Sequence, residues 1–224
     1  YNGGNINRPD EQVLDDTDRY GIEVALQLKE KFDAEVTVIS MGSLGTEKGI
    51  QQALQMGPDG ALVLEDDSLS GSNSLMTANV LSELSKKVEA DITIFGTEST
   101  DGYSGVIPQQ VSRMLGVPCI SYIKAVDIDE SVTLTRQTST GSEKVVMPSN
   151  CVLSVTAGGV EPRYPNFKDI MAAKSKPIER ISIADINYDA QQNLEFVDIK
   201  DVSTTKQGEK IIDEGEGFQI IIDK

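Results

Sequence analysis

Histidine is missing from all 224 residues. A Ser-His-Asp or Cys-His apparatus therefore cannot be assembled from this chain alone, and neither can a histidine-ligated metal site. Cysteine is nearly missing: Cys119 and Cys151 are the only two, too few for a zinc cluster. Both lie in apolar, strand-like surroundings, which predicts buried free thiols rather than a disulfide. Positive charge is scarce, with 20 Lys and Arg against 36 Asp and Glu for a net charge of −16. Phosphate contacts need basic side chains, so nucleic acid and anionic membrane are poor partners for this surface. No apolar run is long enough to span a bilayer, and no secretory pattern is present. If the chain takes part in chemistry, the reactive group is borrowed.

What is present is a length sufficient for a sizeable core, as one domain or one domain with an arm. Residues 1–16 read as a polar loop rich in Gly, Asn and Asp. A doubly wound domain normally opens on a core strand, so the amino terminus is expected to be truncated. The periodicity then predicts a helix over 18–32, capped by Asp18, with Ile22, Ala25, Leu26, Leu28 and Phe32 on its apolar face. A strand over 35–40 follows, then a helix over 46–56 capped by Thr46 and closed by Gly57. Further strands are predicted at 61–64, 91–96 and 117–121, separated by helices near 74–88 and 106–115. Strands alternating with helices of this length imply an α/β fold, a doubly wound, mostly parallel sheet covered on both faces. After Ala125 the pattern changes to a β-hairpin insertion, 132–136 with 143–147, turning at Gly141-Ser142. Residues 151–155 read as a buried strand rejoining the sheet, and 181–186 as a short helix or turn. Residues 1–186 thus form one α/β domain, and 187–224 an extended C-terminal arm that frays or wraps onto a partner.

Two stretches carry functional signals. The first is Gly96-Thr97-Glu98-Ser99-Thr100-Asp101-Gly102-Tyr103-Ser104-Gly105, between a strand end and a helix start. Ligands of open α/β sheets bind outside the carboxyl ends of the strands. Glycines let the backbone approach closely, and the N–H groups of Gly105, Val106 and Ile107 with the Ser104 hydroxyl suit a phosphate at a helix N-terminus. No Walker lysine is present, which fits a phosphate held by dipoles more than a triphosphate being cleaved. The plainer reading is a loop whose Ser and Asp cap the next helix.

The second stretch spans 160–178. Pro162 and Pro165 fix φ and extend the residue before each. Phe167, Ile170 and Met171 recur at helical spacing, while Lys168, Lys174 and Lys176 make a basic island in an acidic chain. Either the apolar residues turn inward from a loop lying on the domain, or the stretch presents an aromatic anchor and a flexible Met to a partner. The acidic groups Glu65-Asp66-Asp67 and 127–130 lack a companion base and read as solvated turns.

The string Glu161-Pro162-Arg163-Tyr164-Pro165, followed by Ile170-Met171-Ala172-Ala173-Lys174 and Lys176, resembles the signature of the electron transfer flavoprotein beta subunit family. The resemblance covers roughly residues 15–186, and more weakly 208–217 as the family's C-terminal arm. It implies an adenine nucleotide hydrolase-like, Rossmann-related fold. It also implies that this chain is an electron-carrier subunit and not an enzyme. FAD would sit mainly in an alpha subunit, and flavin dehydrogenases such as acyl-CoA dehydrogenases would be the electron donors. The setting implied is cytoplasmic, with no membrane insertion and no metal. Members begin with an apolar strand and a lysine-rich loop that this sequence does not contain.

The resemblance also implies an adenine nucleotide, AMP in most members and a second FAD in some electron-bifurcating ones. The loop residues that match the family's nucleotide loop are Gly96, Asp101, Gly102, Ser104 and Gly105, set among Glu98, Ser99, Thr100, Tyr103, Val106 and Ile107; Asp18, Val38 and Met41 complete the implied site. The chain departs from the family where Asp15-Asp16-Thr17-Asp18 replaces a run containing Phe, and where Tyr103 and Val106 replace Asp and Gln. Pro165, Phe167, Ile170, Met171 and Lys174 are the implied dehydrogenase-docking residues. Two other readings stand beside this one. A stand-alone nucleotide-binding module of stress-protein type should lack the signature loop, and an ATP-cleaving adenylating enzyme needs a phosphate loop after a first strand.

Overall fold

Two mostly apolar runs, Gly60–Glu65 (β2) and Cys151–Val155 (β7), are the most buried strands of the computed structural model. It describes residues 11–42, 46–188, 215 and 217–222. Side chains alternate across each strand, so both faces must be covered. Leu62 and Leu64 of β2 pack against Met76, Val80 and Leu84 of α3 (Ser74–Lys87). Ala61 and Val63 face the other way, onto Ile50 and Leu54 of α2 (Glu47–Met56) and Ala173 of α5 (Phe167–Ala173). Leu153 and Val155 of β7 join Val24 and Leu28 of α1 (Asp18–Phe32), while Val152 meets Val111 of α4 (Ile107–Leu115).

The strands form two hydrogen-bonded sets among the described residues. In the first, β1 (Thr37–Gly42), β2 and β8 (Ile178–Ile181) are parallel, in the order β1-β2-β8. In the second the order is β3-β7-β4-β5-β6. Here β3 (Ile92–Gly96), β7 and the start of β4 (Cys119–Ile128) are parallel, and β5 (Val132–Thr138) and β6 (Gly141–Val146) continue antiparallel. This is the expected α/β architecture with its hairpin insertion. Short helix α6 (Gly217–Ile222) lies in the expected arm, of which 189–214 fall outside the described residues.

Several local expectations need correction. The buried face of α1 is Gly21, Glu23, Val24, Leu26 and Leu28, whereas Phe32 is 52 % exposed. Phe32 is the last residue before Asp33 turns left-handed and ends the helix, so it clears the strands that Val24 packs on. Thr17, not Asp18, holds the N-cap position of α1, without a side-chain capping bond. Thr46 does precede α2, but its hydroxyl donates to Glu65 Oε1 at 2.9 Å instead of capping. Strand β1 starts at Thr37, two residues late. The hairpin turns at Ser139-Thr140, because Thr138 pairs with Gly141. β8 was not foreseen: its centre is the charged pair Glu179-Arg180, exposed at a sheet edge.

Candidate functional site

The carboxyl end of β3 brings its loop against the first turn of α1. A Cβ on Gly96 would lie 3.0 Å from Asp18 Oδ1 and 3.6 Å from Thr17 Oγ1. Glycine is therefore what lets the two segments approach. Asp15 orders the α1 entry by accepting from the Thr17 N–H (2.8 Å) and hydroxyl (2.6 Å). Desolvation is the largest single influence on the Asp15 carboxyl and raises its pKa. Hydrogen bonds from Thr100 and Thr17 together outweigh it and hold the group below its ordinary range. The Asp18 carboxyl is pushed up to about 6, first by desolvation and then by Asp15 and Asp101. Asp18 still meets solvent by area. Its desolvation thus comes from protein crowded around the carboxylate.

The loop itself is folded on its own backbone. Gly102 donates to Asp101 Oδ1 (2.6 Å) and Ser99 Oγ (3.2 Å), and Tyr103 to the Ser99 carbonyl (2.9 Å). Gly105 takes φ +63°, and a Cβ there would sit 3.3 Å from Glu98 Oε2. Val106 occupies the N-cap position of α4 with no side-chain cap, so the reading in which Ser or Asp caps this helix does not hold. The positive end of the α4 dipole is left facing the loop. The carboxylates of Asp15, Asp18, Glu98 and Asp101 gather on this side of the loop, Asp15 and Asp101 already accepting from Thr17 and Gly102. Among the described residues no group of three or more His, Cys, Asp or Glu could hold a metal ion.

Val38 and Met41 lie on opposite faces of β1. Val38 packs with Ile50 and Val63, and Met41 with Leu62 and Met76. Asp18, Gly96 and the loop through Ile107 are brought together.

The 160–178 stretch is clamped at both ends. Its entry is held by Arg163, whose Nε and Nη2 donate to Glu23 Oε2 and Oε1 at 2.7 and 3.0 Å, while its backbone N–H reaches Oε2 at 3.1 Å. The same guanidinium also pairs with Glu30. Glu23 is 4 % exposed. Burial raises its pKa most, but hydrogen bonds from Arg163 and Gln27, with the Arg163 charge, prevail and lower it. The Arg163 pKa rises in turn, through Glu23 first and then Glu30. The exit is held by Ala173, fully buried, and by Lys176, whose ammonium donates to the Leu54 carbonyl at 2.9 Å. Desolvation there lowers the Lys176 pKa.

Between the clamps, Asn166 caps α5 by accepting from the Asp169 N–H at 2.9 Å. Phe167 is 79 % exposed, Tyr164 92 % and Met171 49 %. Ile170 and Pro165 are half-buried, and Lys174 is exposed. The inward reading of this stretch therefore fails for Phe167 and Met171. Sequence reasoning missed Glu23 and Glu30. The one available signal was a carboxylate, Glu23, on the apolar side of α1.

Comparison with known proteins adds the family. A model described as the electron transfer flavoprotein domain matches residues 4–186. The electron transfer flavoprotein subunit beta of Mycobacterium leprae (strain TN) is 35 % identical over 225 residues, covering 94 % of this chain and 84 % of that protein. The subunit beta of Mycobacterium tuberculosis (strain ATCC 25618 / H37Rv) is 33 % identical over 223 residues with the same coverage. That of Bacillus subtilis (strain 168) is 31 % identical over 183 residues, 81 % of this chain and 71 % of that protein.

Proposed function

This chain belongs to the electron transfer flavoprotein family, and from that premise we propose that it is the beta subunit of a heterodimeric electron carrier. It would receive electrons from flavin dehydrogenases, acyl-CoA dehydrogenases among them, through FAD held mainly by an alpha subunit. The observation that carries the reading is the α5 face. Phe167 and Met171 stay exposed although both ends of their segment are tied to the core, by Arg163 on α1 and Lys176 on α2. A rigidly held, outward apolar face is what a docking surface needs, because little ordering entropy remains to be lost on binding.

In this reading the loop 96–107 holds an adenine nucleotide, AMP or, in a bifurcating carrier, a second FAD. The residues fit such a group: α4 has no side-chain cap, Gly105 keeps its backbone open, and carboxylates stand near for ribose hydroxyls. The flavin supplies the electron chemistry when bound, and this chain's residues bind and orient. The chain works in the cytoplasm, and among its described residues no helix is long and apolar enough to cross a membrane.

The test is purification with the companion subunit, followed by denaturing release of cofactors. A yellow complex that releases FAD and AMP, and that a dehydrogenase reduces, is expected. A chain that turns over a substrate with no companion overturns the reading.

A further inference from the structure

The dipeptide Asp-Gly occurs twice among the described residues, as Asp59-Gly60 and Asp101-Gly102. In this dipeptide an aspartyl carboxyl can close on the next backbone nitrogen, because glycine puts no side chain beside that nitrogen. The fold treats the two copies oppositely.

At Asp59 both carboxylate oxygens are taken. Oδ1 pairs with the Lys29 ammonium, and Oδ2 accepts from the Val36 N–H at 2.9 Å. The Asp59 N–H is itself spent on the Val36 carbonyl at 2.8 Å. Desolvation raises the Asp59 pKa most, but hydrogen bonds from Lys29 and Val36, with the charges of Lys29 and Lys176, prevail and lower it. The group is held as a carboxylate, which is a poor electrophile. Gly60 is buried, pairs with Thr37 at the start of β2, and would bring a Cβ to 3.1 Å from Pro177. Its backbone is fixed in a sheet.

Asp101 and Gly102 are both exposed. Oδ1 of Asp101 lies 2.6 Å from the Gly102 nitrogen, which donates to it, and the carboxyl carbon is the next atom along. Apart from chain neighbours, the only described atom within 4 Å of a Cβ placed on Gly102 is Ser99 Oγ, at 3.3 Å. That hydroxyl is the second acceptor of the same N–H, at 3.2 Å. The Tyr103 N–H, donating to the Ser99 carbonyl at 2.9 Å, closes the turn around them. Nucleophile and electrophile are thus kept side by side with an open approach.

We propose that Asp101-Gly102 is a site of covalent self-modification, converting to isoaspartate in the folded protein through a cyclic imide. The Gly102 nitrogen attacks Asp101 Cγ and gives up its proton. The N–Cγ bond forms, the Cγ–O bond to the carboxyl hydroxyl breaks, and water leaves. Water then opens the ring. Addition at Cγ restores aspartate. Addition at the former main-chain carbonyl gives isoaspartate, with the chain running through Cβ and Cγ. No oxidant or second substrate is needed. The product lengthens the main chain by a methylene between Thr100 and Gly102. It also moves the Asp101 carboxylate, one of the charges acting on Asp18. The assignment stands apart from any ligand of the loop.

The test is incubation of the full chain in neutral buffer, native and in urea, followed by peptide mapping with electron-transfer fragmentation, which tells isoaspartate from aspartate. In the native protein isoaspartate should build up at 101 about a hundredfold faster than at 59, the scale on which alignment changes an intramolecular rate. In urea the two sites should converge. Gly102→Ala puts a methyl group beside the attacking nitrogen and should slow site 101 about tenfold, a barrier higher by about 1.4 kcal/mol. Asp101→Asn loses ammonia in place of water, and should react faster and gain the mass difference between amide and acid. Equal native rates at 101 and 59 overturn the proposal. So does an Asp101→Asn chain that keeps its amide through the same incubation, or a Gly102→Ala chain that reacts as fast as wild type.

Discussion

Arg163 and Glu23, 140 residues apart in the chain, meet as a two-pronged ion pair at 2.7 and 3.0 Å. The carboxylate is buried and the guanidinium half-buried, so the pair joins the start of the signature loop to the middle of α1. Each group depends on the other for its charge to be tolerated there.

Removing one partner should therefore be costly. Arg163→Met leaves the buried Glu23 carboxylate without its cation, and is expected to destabilise the fold by about 3–5 kcal/mol in urea melts. The double variant Arg163→Met with Glu23→Gln should recover part of that loss. The Glu23 pKa is lowered in the fold, so the pair's contribution is present above the unfolded carboxylate pKa and is lost as pH falls through the folded value. Arg163→Met should flatten that acid limb. A loss below about 1 kcal/mol, in the range of a surface pair, would show that the clamp is not holding the loop.

Phe167 separates docking from stability. It is 79 % exposed, so Phe167→Ala should change the melting free energy by no more than about 0.5 kcal/mol. Reduction by a dehydrogenase should weaken roughly 30-fold, the scale of a 2 kcal/mol anchor. Assembly with the companion subunit should be intact. Loss of assembly instead would make the loop structural.

Asp18 titrates against the fold. Its folded pKa is raised to about 6, so protonation favours the native state. The stabilisation is complete below the unfolded carboxylate value and disappears as pH rises through about 6. Asp18→Asn should remove this slope and be the more stable protein at pH 8. Because Asp18 meets solvent, the gain expected is about 1 kcal/mol or less. Parallel stability–pH curves for the two proteins would contradict the shift.

Gly105 tests the loop. Its φ of +63° suits glycine, and Gly105→Val places a β-branched side chain in that region beside Glu98. A cost of at least about 1–2 kcal/mol follows from the backbone alone. Nucleotide released on denaturation should fall in step, and added nucleotide should stabilise wild type more than the variant. Equal nucleotide content in both proteins would move the binding site elsewhere.

Much of the architecture was legible because its signals are local. The mostly apolar runs of β2 and β7 announce strands covered on both faces, and α1 spans the residues expected of it. The glycines of the 96–105 loop mark a close approach, and Gly96 meets Asp18 as such a loop would. Edges were less legible. The half-buried, charge-centred β8 carries no strand periodicity of its own and exists because β2 offers it a partner.

The order of residues alone determined that this is a parallel α/β protein without histidine chemistry, since apolar periodicity and composition need no knowledge of neighbours. Only the folded chain decided that Glu23 is a buried anchor for Arg163 and that Phe167 faces outward. Those outcomes depend on which distant segments cross. A side chain's partner across 140 residues is set by the packing of helices and strands between them, and no window of the sequence contains it.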